Sequence, residues 1–305
     1  MAITNRAKFP NELDKAIDRV FKDALAQTES EYERVAKTES ALPGESIVES
    51  EISGLGNLDP MGEGDRVAYD TAEEGHKKAR YYNKFGLGYQ VTEEMVVDDV
   101  HDKILQMPAA LGEAAVQKLN VEFFDLFNSG FSTHTSWDGQ NIFSTSHTTL
   151  KSGDTIANRP TSGQDLTETS LQAAFEYFDT LVTESGYPMY LTPKTLLVPV
   201  EERWNAMKLM SGDRVLGSAD NDPLTTNPSN GMVPGWTVMV SRYLTDNDAW
   251  FMLSDKHDFR IVFKKKPTQE KTDDFDTGSR LYKVTTRFAT FANQYKGAYG
   301  SPGAA

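Results

Sequence analysis

The chain has 305 residues, is 38% apolar, and sets 45 acidic side chains against 31 basic ones, a net charge of −14. It contains no cysteine, which excludes disulfides, thiolate nucleophiles and cysteine-ligated zinc. The acidic balance argues against gripping phosphates, an affinity that comes from Lys and Arg displacing counterions. No apolar run approaches the ~18 residues of a membrane span, and the opening MAITNRAKFP lacks the apolar stretch of a secretory signal. A soluble, cytosol-made protein of one large or two modest domains is expected, with its apolar leanness pointing to segments that lie extended outside a core.

In chain order, residues Asn11 to about Thr38 read as an amphipathic helix, with Leu13, Ile17, Val20, Ala24 and Leu25 at three- and four-residue steps. Pro43 and Gly44 stop it, and an irregular stretch to Gly64 is expected. From Asp65 to Val91 the pattern is that of a two-stranded hairpin turning at Glu74–Gly75, with Phe85, Leu87, Tyr89 and Val91 alternating at one end and charges in the middle. Such a ribbon has little apolar surface and is marginally stable alone, so it is either mobile or packed on a neighbouring subunit. Asp98 to Phe127 carries the strongest helical stripe, with Asp98 and Asp99 favouring the N-terminal dipole and Pro108 kinking or breaking the rod. A helix follows at about Thr167 to Ser185, then a buried strand in MYLTPKTLLVPV and a helix in EERWNAMKLM. Ser211 to Gly235 reads as a surface loop, and WTVMVSRYL and AWFMLSD as two strands around the TDND turn. Alternation at Phe259, Ile261 and Phe263, and again at Tyr282, Val284, Thr286 and Phe288, gives a closing antiparallel pair with one buried face. Pro267 lies in the polar connection between its strands.

The stretch SWDGQNIFSTSHTTL, Ser136 to Leu150, is the one place where catalytic residue types gather. His134, Asp138 and His147 could supply three zinc ligands, the basis of a metal-dependent hydrolase reading. A zinc site, however, needs three converging ligands with an orienting second layer, and nothing in the spacing places them on one face. Ser144 and Ser146 near His147 lack a GxSxG elbow. The preferred reading is structural: Asp138–Gly139 makes a turn, Ile142 and Phe143 plug a core, and His147 hydrogen-bonds the loop's own backbone. GLG at Gly54–Gly56 lacks the rest of a dinucleotide fingerprint. The acidic pairs Glu93–Glu94, Asp98–Asp99 and Asp273–Asp274 are neighbours in sequence and do not face each other as an acid and base would. HKKAR (His76–Arg80) and KKK (Lys264–Lys266) lack the interleaved aromatics of a nucleic-acid platform. No catalytic residue, metal or cofactor is assigned.

The order of the pieces is more specific than any motif. VTEEMVVDD, with Thr92, Glu94, Asp98 and Asp99, precedes the long helix; PAALGEAA follows from Pro108, then Asn120; next come DGQNIFSTSH and TPKTLLVPVEERWNAMKLM. Over roughly Leu13 to Phe291 this resembles the major capsid protein of tailed bacteriophages, in particular the Mu-type major head subunit branch. His147-Thr148-Thr149 departs from the His-Gly-Asn frequent in that family. The resemblance implies an α+β capsid fold: an N-terminal helical arm (1–64), an extended β-hairpin loop (65–95), a peripheral domain with a long spine helix (96–160), an α/β axial domain (161–255) and return strands of the peripheral domain (256–305). It further implies self-assembly into pentamers and hexamers of an icosahedral shell around double-stranded DNA, within a virion assembled in the bacterial host cytoplasm. Portal, scaffolding and decoration proteins are the expected partners, the scaffold as a separate chain. Glu73, Glu74, Lys77, Lys78, Arg80 and Lys84 become assembly-interface candidates, with no covalent crosslink assigned to the lysines. An encapsulin-like nanocompartment, which shares the shell fold, is the rival reading.

Overall fold

The computed structural model describes residues 10–41, 43–58, 60–64, 66–67, 69–92, 94–95, 103–150, 153–184, 186–210, 236–274 and 278–304. The expectations for Asp98, Asp99 and Glu93, and for the loop from Ser211 to Gly235, lie outside these residues. The chain is mixed α and β, with four helices and twelve strands among the described residues, and divides into two compact units, each assembled from three stretches of sequence.

The first unit comprises Met1–Ile47, Arg80–Phe123 and Arg260–Thr290. Its sheet has the order β1 (Lys37–Ser40), β10 (Arg260–Asp273), β11 (Arg280–Phe291) and β4 (Asn83–Val91). The antiparallel register pairs Tyr282 with Tyr89, Val284 with Leu87 and Thr286 with Phe85, so these residues share a face. Helix α1 (Pro10–Gln27) turns Ile17 and Phe21 to that face, where Ile17 meets Val91, Ile104 and Tyr282, and Phe21 meets Leu111, Ala115 and Val284. Burying one such side chain contributes roughly 1.5–3 kcal/mol. Gly112 lets the backbone of α1 come close: a Cβ there would lie 3.0 Å from the Phe21 carbonyl oxygen.

α1 ends at Gln27, well short of the expected Thr38. Thr28 turns its hydroxyl back onto the Ala24 carbonyl (2.8 Å). The fully buried Asn120 then holds the next stretch, its Oδ1 accepting the Tyr32 N–H (3.1 Å) and its Nδ2 donating to the Glu29 carbonyl (3.3 Å). After a 3-10 turn at Glu31–Arg34, β1 pairs in parallel with β10. Long-range pairing thus overrides a locally helical charge pattern.

The expected spine helix runs as α2 (Gln106–Asn128), preceded by a 3-10 turn at Lys103–Leu105. Pro108 is its third residue, in the first turn, where a backbone N–H has no intrahelical acceptor to lose. It marks the break and does not kink a longer rod. β10 continues through Pro267 for 14 residues where a polar connection was expected.

The second unit comprises Val48–Ala79, Phe124–Phe259 and Phe291–Ala305. Its sheet has the order β12 (Ala298–Ser301), β9 (Trp250–Ser254), β7 (Pro193–Val198) and β8 (Thr237–Val240). β8 and β9 were expected to flank a common turn as neighbours. Instead β7 separates them, parallel to β8 and antiparallel to β9. The closing stretch was assigned to the first unit's return strands, but β12 pairs with β9. Helix α3 (Glu168–Thr180) starts on a capping box made by Thr167 and Ser170 and buries Leu171, Ala174, Phe175 and Phe178 against the sheet. Helix α4 (Arg203–Met210) follows β7. A second cluster stacks Phe127 on Phe259 at 4.3 Å and brings Phe131 and Phe143 onto Phe251.

Candidate assembly arm and its anchoring loop

The ribbon expected within Asp65–Val91 is built from different strands. β3 (Glu74–Tyr81) pairs with β2 (Ser46–Ile52), while β4 belongs to the sheet of the first unit. Glu74–Gly75 is therefore the start of a strand, not the turn. The ribbon is closed by the Ser53 N–H donating to the Glu73 carbonyl (3.0 Å) and the Glu73 N–H donating to Ser53 Oγ (2.9 Å). Beyond that closure, residues 53–73 connect the strands with Leu55, Leu58, Met61, Val67 and Tyr69 all exposed.

The strands themselves are anchored on their own unit. The Lys78 ammonium donates to Thr135 Oγ1 and to the carbonyls of Thr135 (3.3 Å) and Ser136 (2.9 Å). Asn293 Nδ2 donates to Glu49 (2.8 Å), and His76 Nδ1 meets Glu51 at 3.2 Å. A Cβ on Gly75 would run into Leu150, so glycine is what lets that leucine in. Burial pushes the Glu51 carboxyl above its ordinary range; His76 opposes the shift, while Glu184 adds to it.

The loop beneath the ribbon forms from Ser129 to Leu150. Thr135 bridges to Asn141 around a turn whose Gly139 has φ of 80°, a left-handed conformation that glycine adopts without strain. Ser136 Oγ and the Trp137 N–H both donate to the Asn293 carbonyl, tying the turn to the C-terminal stretch. Phe143 is fully buried. His147, also fully buried, donates from Nδ1 to Asp138 Oδ2 at 2.7 Å and stacks on the Tyr295 ring at 3.8 Å and 2°. Its partner is thus a side chain of the same loop, where a backbone partner was expected. Burial acts to raise the Asp138 carboxyl, but the His147 hydrogen bond and charge, with the Gln140 N–H, outweigh it and hold it below the usual aspartate range. Burial beside Glu184, Asp138 and Glu51 pushes the Tyr295 hydroxyl far up.

His134 points elsewhere, its Nε2 at 2.7 Å from Asp125. His134, Asp138 and His147 therefore form two separate pairs, and no cluster of three metal-ligating side chains occurs among the described residues. Ser144 and Ser146 bond to each other at 3.2 Å. Glu73, Glu74, Lys77 and Lys84 are exposed, with Lys77 paired to Glu74 at 2.9 Å, and Arg80 is half-buried.

The loop's other tether went unnoticed in the sequence. Glu184 forms a buried ion pair with Lys296 and accepts the Leu150 N–H at 2.6 Å, while the Lys296 ammonium also donates to the Val182 carbonyl at 3.2 Å. A signal was present: Lys296 is the only charge in the last 18 residues, and Glu184 the only one between Asp179 and Lys194.

A family model described as phage capsid protein matches residues 83–301. Among solved structures, the chain is similar to the capsid of the cyanophage P-SCSP1u (11% identity, 90% of this chain and 88% of that one, TM-score 0.58). It is also similar to the capsid of Ralstonia phage GP4 (9% identity, 88% and 87%, TM-score 0.57). The virus-like particle from Pyrococcus furiosus matches over 94% of this chain and 98% of that one, at 10% identity and TM-score 0.52. At these identities the structural likeness is one of fold. No curated protein matches by sequence.

Proposed function

The chain belongs to the phage capsid protein family, and from that membership we propose that it is the major head subunit of a tailed bacteriophage, of the Mu-type branch. It is a capsid shell protein, with a structural rather than a catalytic role. The observation that carries this is the family match, which runs from β4 to β12 and so includes strands of both sheets.

In this reading, copies form pentamers and hexamers of an icosahedral head that encloses double-stranded DNA without sequence-specific contacts. Portal, scaffolding and decoration proteins act on it, and assembly takes place in the host cytoplasm. The first unit serves as the peripheral domain and the second, with its α/β sheet, as the axial domain. Residues 53–73 are the reaching part of the arm, because the ribbon behind them is already held by Thr135, Ser136, Asn293 and Leu150. Asp138, Gly139, Phe143 and His147 position that ribbon and carry out no reaction. Glu73, Glu74, Lys77 and Lys84 remain available at the surface for contacts between copies, whereas Lys78 is engaged within the subunit.

Negative-stain microscopy of the expressed protein under assembly conditions tests the reading. Uniform closed shells or capsomer rings are expected; strictly monomeric particles would sink it. Nuclease-resistant DNA in particles from infected cells supports a virion, and a resident cargo enzyme would instead indicate a nanocompartment.

A further inference from the structure

The sheet of the first unit carries nine cations on β4, β10 and β11. Five meet carboxylates: Arg260 with Glu39 (3.6 Å), Lys265 and Lys283 with Glu270 (2.5 and 3.2 Å), and Lys271 and Arg280 with Asp14 (2.8 and 3.3 Å). Lys84, Lys264, Lys266 and Arg287 meet none among the described residues. Three of these four, all but Lys266, gather around one ring instead. Lys264 Nζ lies 5.2 Å and the Arg287 guanidinium carbon 5.9 Å from the centre of Tyr82, and Lys84 stands directly opposite Arg287 in the β4–β11 register. Lys264 is fixed by donating to the Gly44 carbonyl. The Tyr82 hydroxyl is buried and has no hydrogen-bond partner among the described residues. Like charges directly opposite each other destabilise an antiparallel pair. No carboxylate among the described residues offsets that repulsion, in a chain whose net charge is −14.

We propose that the Lys84–Arg287–Lys264 cluster is the receptor for the acidic connecting segment, residues 53–73, of a second copy of this chain. The inference rests on the shell reading above and names a pair of surfaces that would join its subunits. Three observations select this occupant. First, the segment is complementary in charge, with five acids (Asp59, Glu63, Asp65, Asp70 and Glu73) against the single base Arg66. Second, the carboxylates of Glu63 and Glu73 meet no cation among the described residues, so charge on both surfaces awaits a partner. Third, Leu58 and Tyr69, 93% and 95% exposed, need protein surface to cover them, which a phosphate backbone does not offer. The cluster is also compact. Cations crowded about one largely buried ring suit a few carboxylates, whereas duplex DNA spreads one charge per ~1.7 Å along its axis.

The test is charge reversal in the full chain, expressed without phage DNA and scored by microscopy and sedimentation. Lys84→Glu with Arg287→Glu should keep the subunit's thermal midpoint and lose closed shells, or need at least ten times more protein to form them. Glu63→Lys with Glu73→Lys should fail in the same way. Combining all four changes should restore assembly. Either double variant assembling at the wild-type concentration overturns the proposal, as does failure of the combination while it remains folded. If a double variant unfolds, the milder Lys84→Gln with Arg287→Gln must raise the critical concentration, and no change there also overturns it. If the cluster variant forms shells and instead loses bound, salt-sensitive DNA, its partner is phosphate and the proposal fails. A wild-type protein that forms no shell at all fails the underlying reading, and so is told apart from these outcomes.

Discussion

At the scale of single residues, two carboxylates of the second unit respond to acid with opposite signs. Asp138 is held below the ordinary aspartate value, so its charged form stabilises the fold. That contribution is complete above about pH 4 and is lost as pH falls further, through the folded value. Glu51 is held above its ordinary value, so its contribution is present when it is protonated and is lost as pH rises through its folded value. Thermal unfolding followed from pH 3 to 7 should therefore show Asp138→Asn flattening the loss at the acid end. Glu51→Gln should remove a component that weakens the wild type on the alkaline side. The Asp138 change should also cost about 1–3 kcal/mol at neutral pH, because it disturbs the hydrogen bond of a fully buried His147. The buried Lys296–Glu184 pair makes a sharper case. Lys296→Met alone should cost about 3–5 kcal/mol by stranding a carboxylate, while adding Glu184→Leu should recover much of it. Residue identities made Asp138 and His147 conspicuous in the sequence, since nine positions separate an acid and a base in a turn-rich stretch. What they could not convey was Tyr295 against the imidazole, a contact 148 positions away that exists only once the C-terminal stretch has folded back.

At the scale of elements, the ribbon depends on one glycine. Gly75→Ala should cost about 1–3 kcal/mol through overpacking against Leu150 and raise hydrogen exchange in β2 and β3, and Leu150→Ala in the same chain should relieve both effects. The same glycine explains why the hairpin was misplaced. Glu74–Gly75 has the composition of a turn, yet the glycine is there for a side chain approaching from outside the strand. α3 and β11 were legible because their apolar residues keep a helical or two-residue period and bury one face, and β9, buried at every residue, because it is a short continuous apolar run. β1, with all four residues exposed, and β2 carry no such period. Their place is set by the backbone of a partner strand, which leaves no mark on side-chain hydropathy. The end of α1 was hidden for a related reason. Asn120 holds the stretch after Thr28, and replacing it with Leu should loosen residues 29–36 in hydrogen exchange while leaving α1 protected.

At the scale of the whole molecule, removing the proposed reaching segment should separate folding from assembly. Replacing residues 54–72 with a short Gly-Ser linker, retaining Ser53 and Glu73 that close the ribbon, should leave the subunit's unfolding free energy within about 0.5 kcal/mol of wild type. It should nevertheless abolish closed shells in the microscope. Composition had pointed this way, since a lean apolar content implies chain outside a core, and residues 53–73 supply such chain. A further consequence follows from β12. It is hydrogen-bonded to β9, which is itself paired with β7, but β12 emerges from the ribosome about a hundred residues after β7. At ~5–20 residues per second, β7 therefore waits on the order of ten seconds before the strand that completes its sheet exists. Translation itself thus acts as a timer: a nascent chain cannot present a finished second unit to its neighbours, and completion of the sheet is delayed until Ser301 has been made.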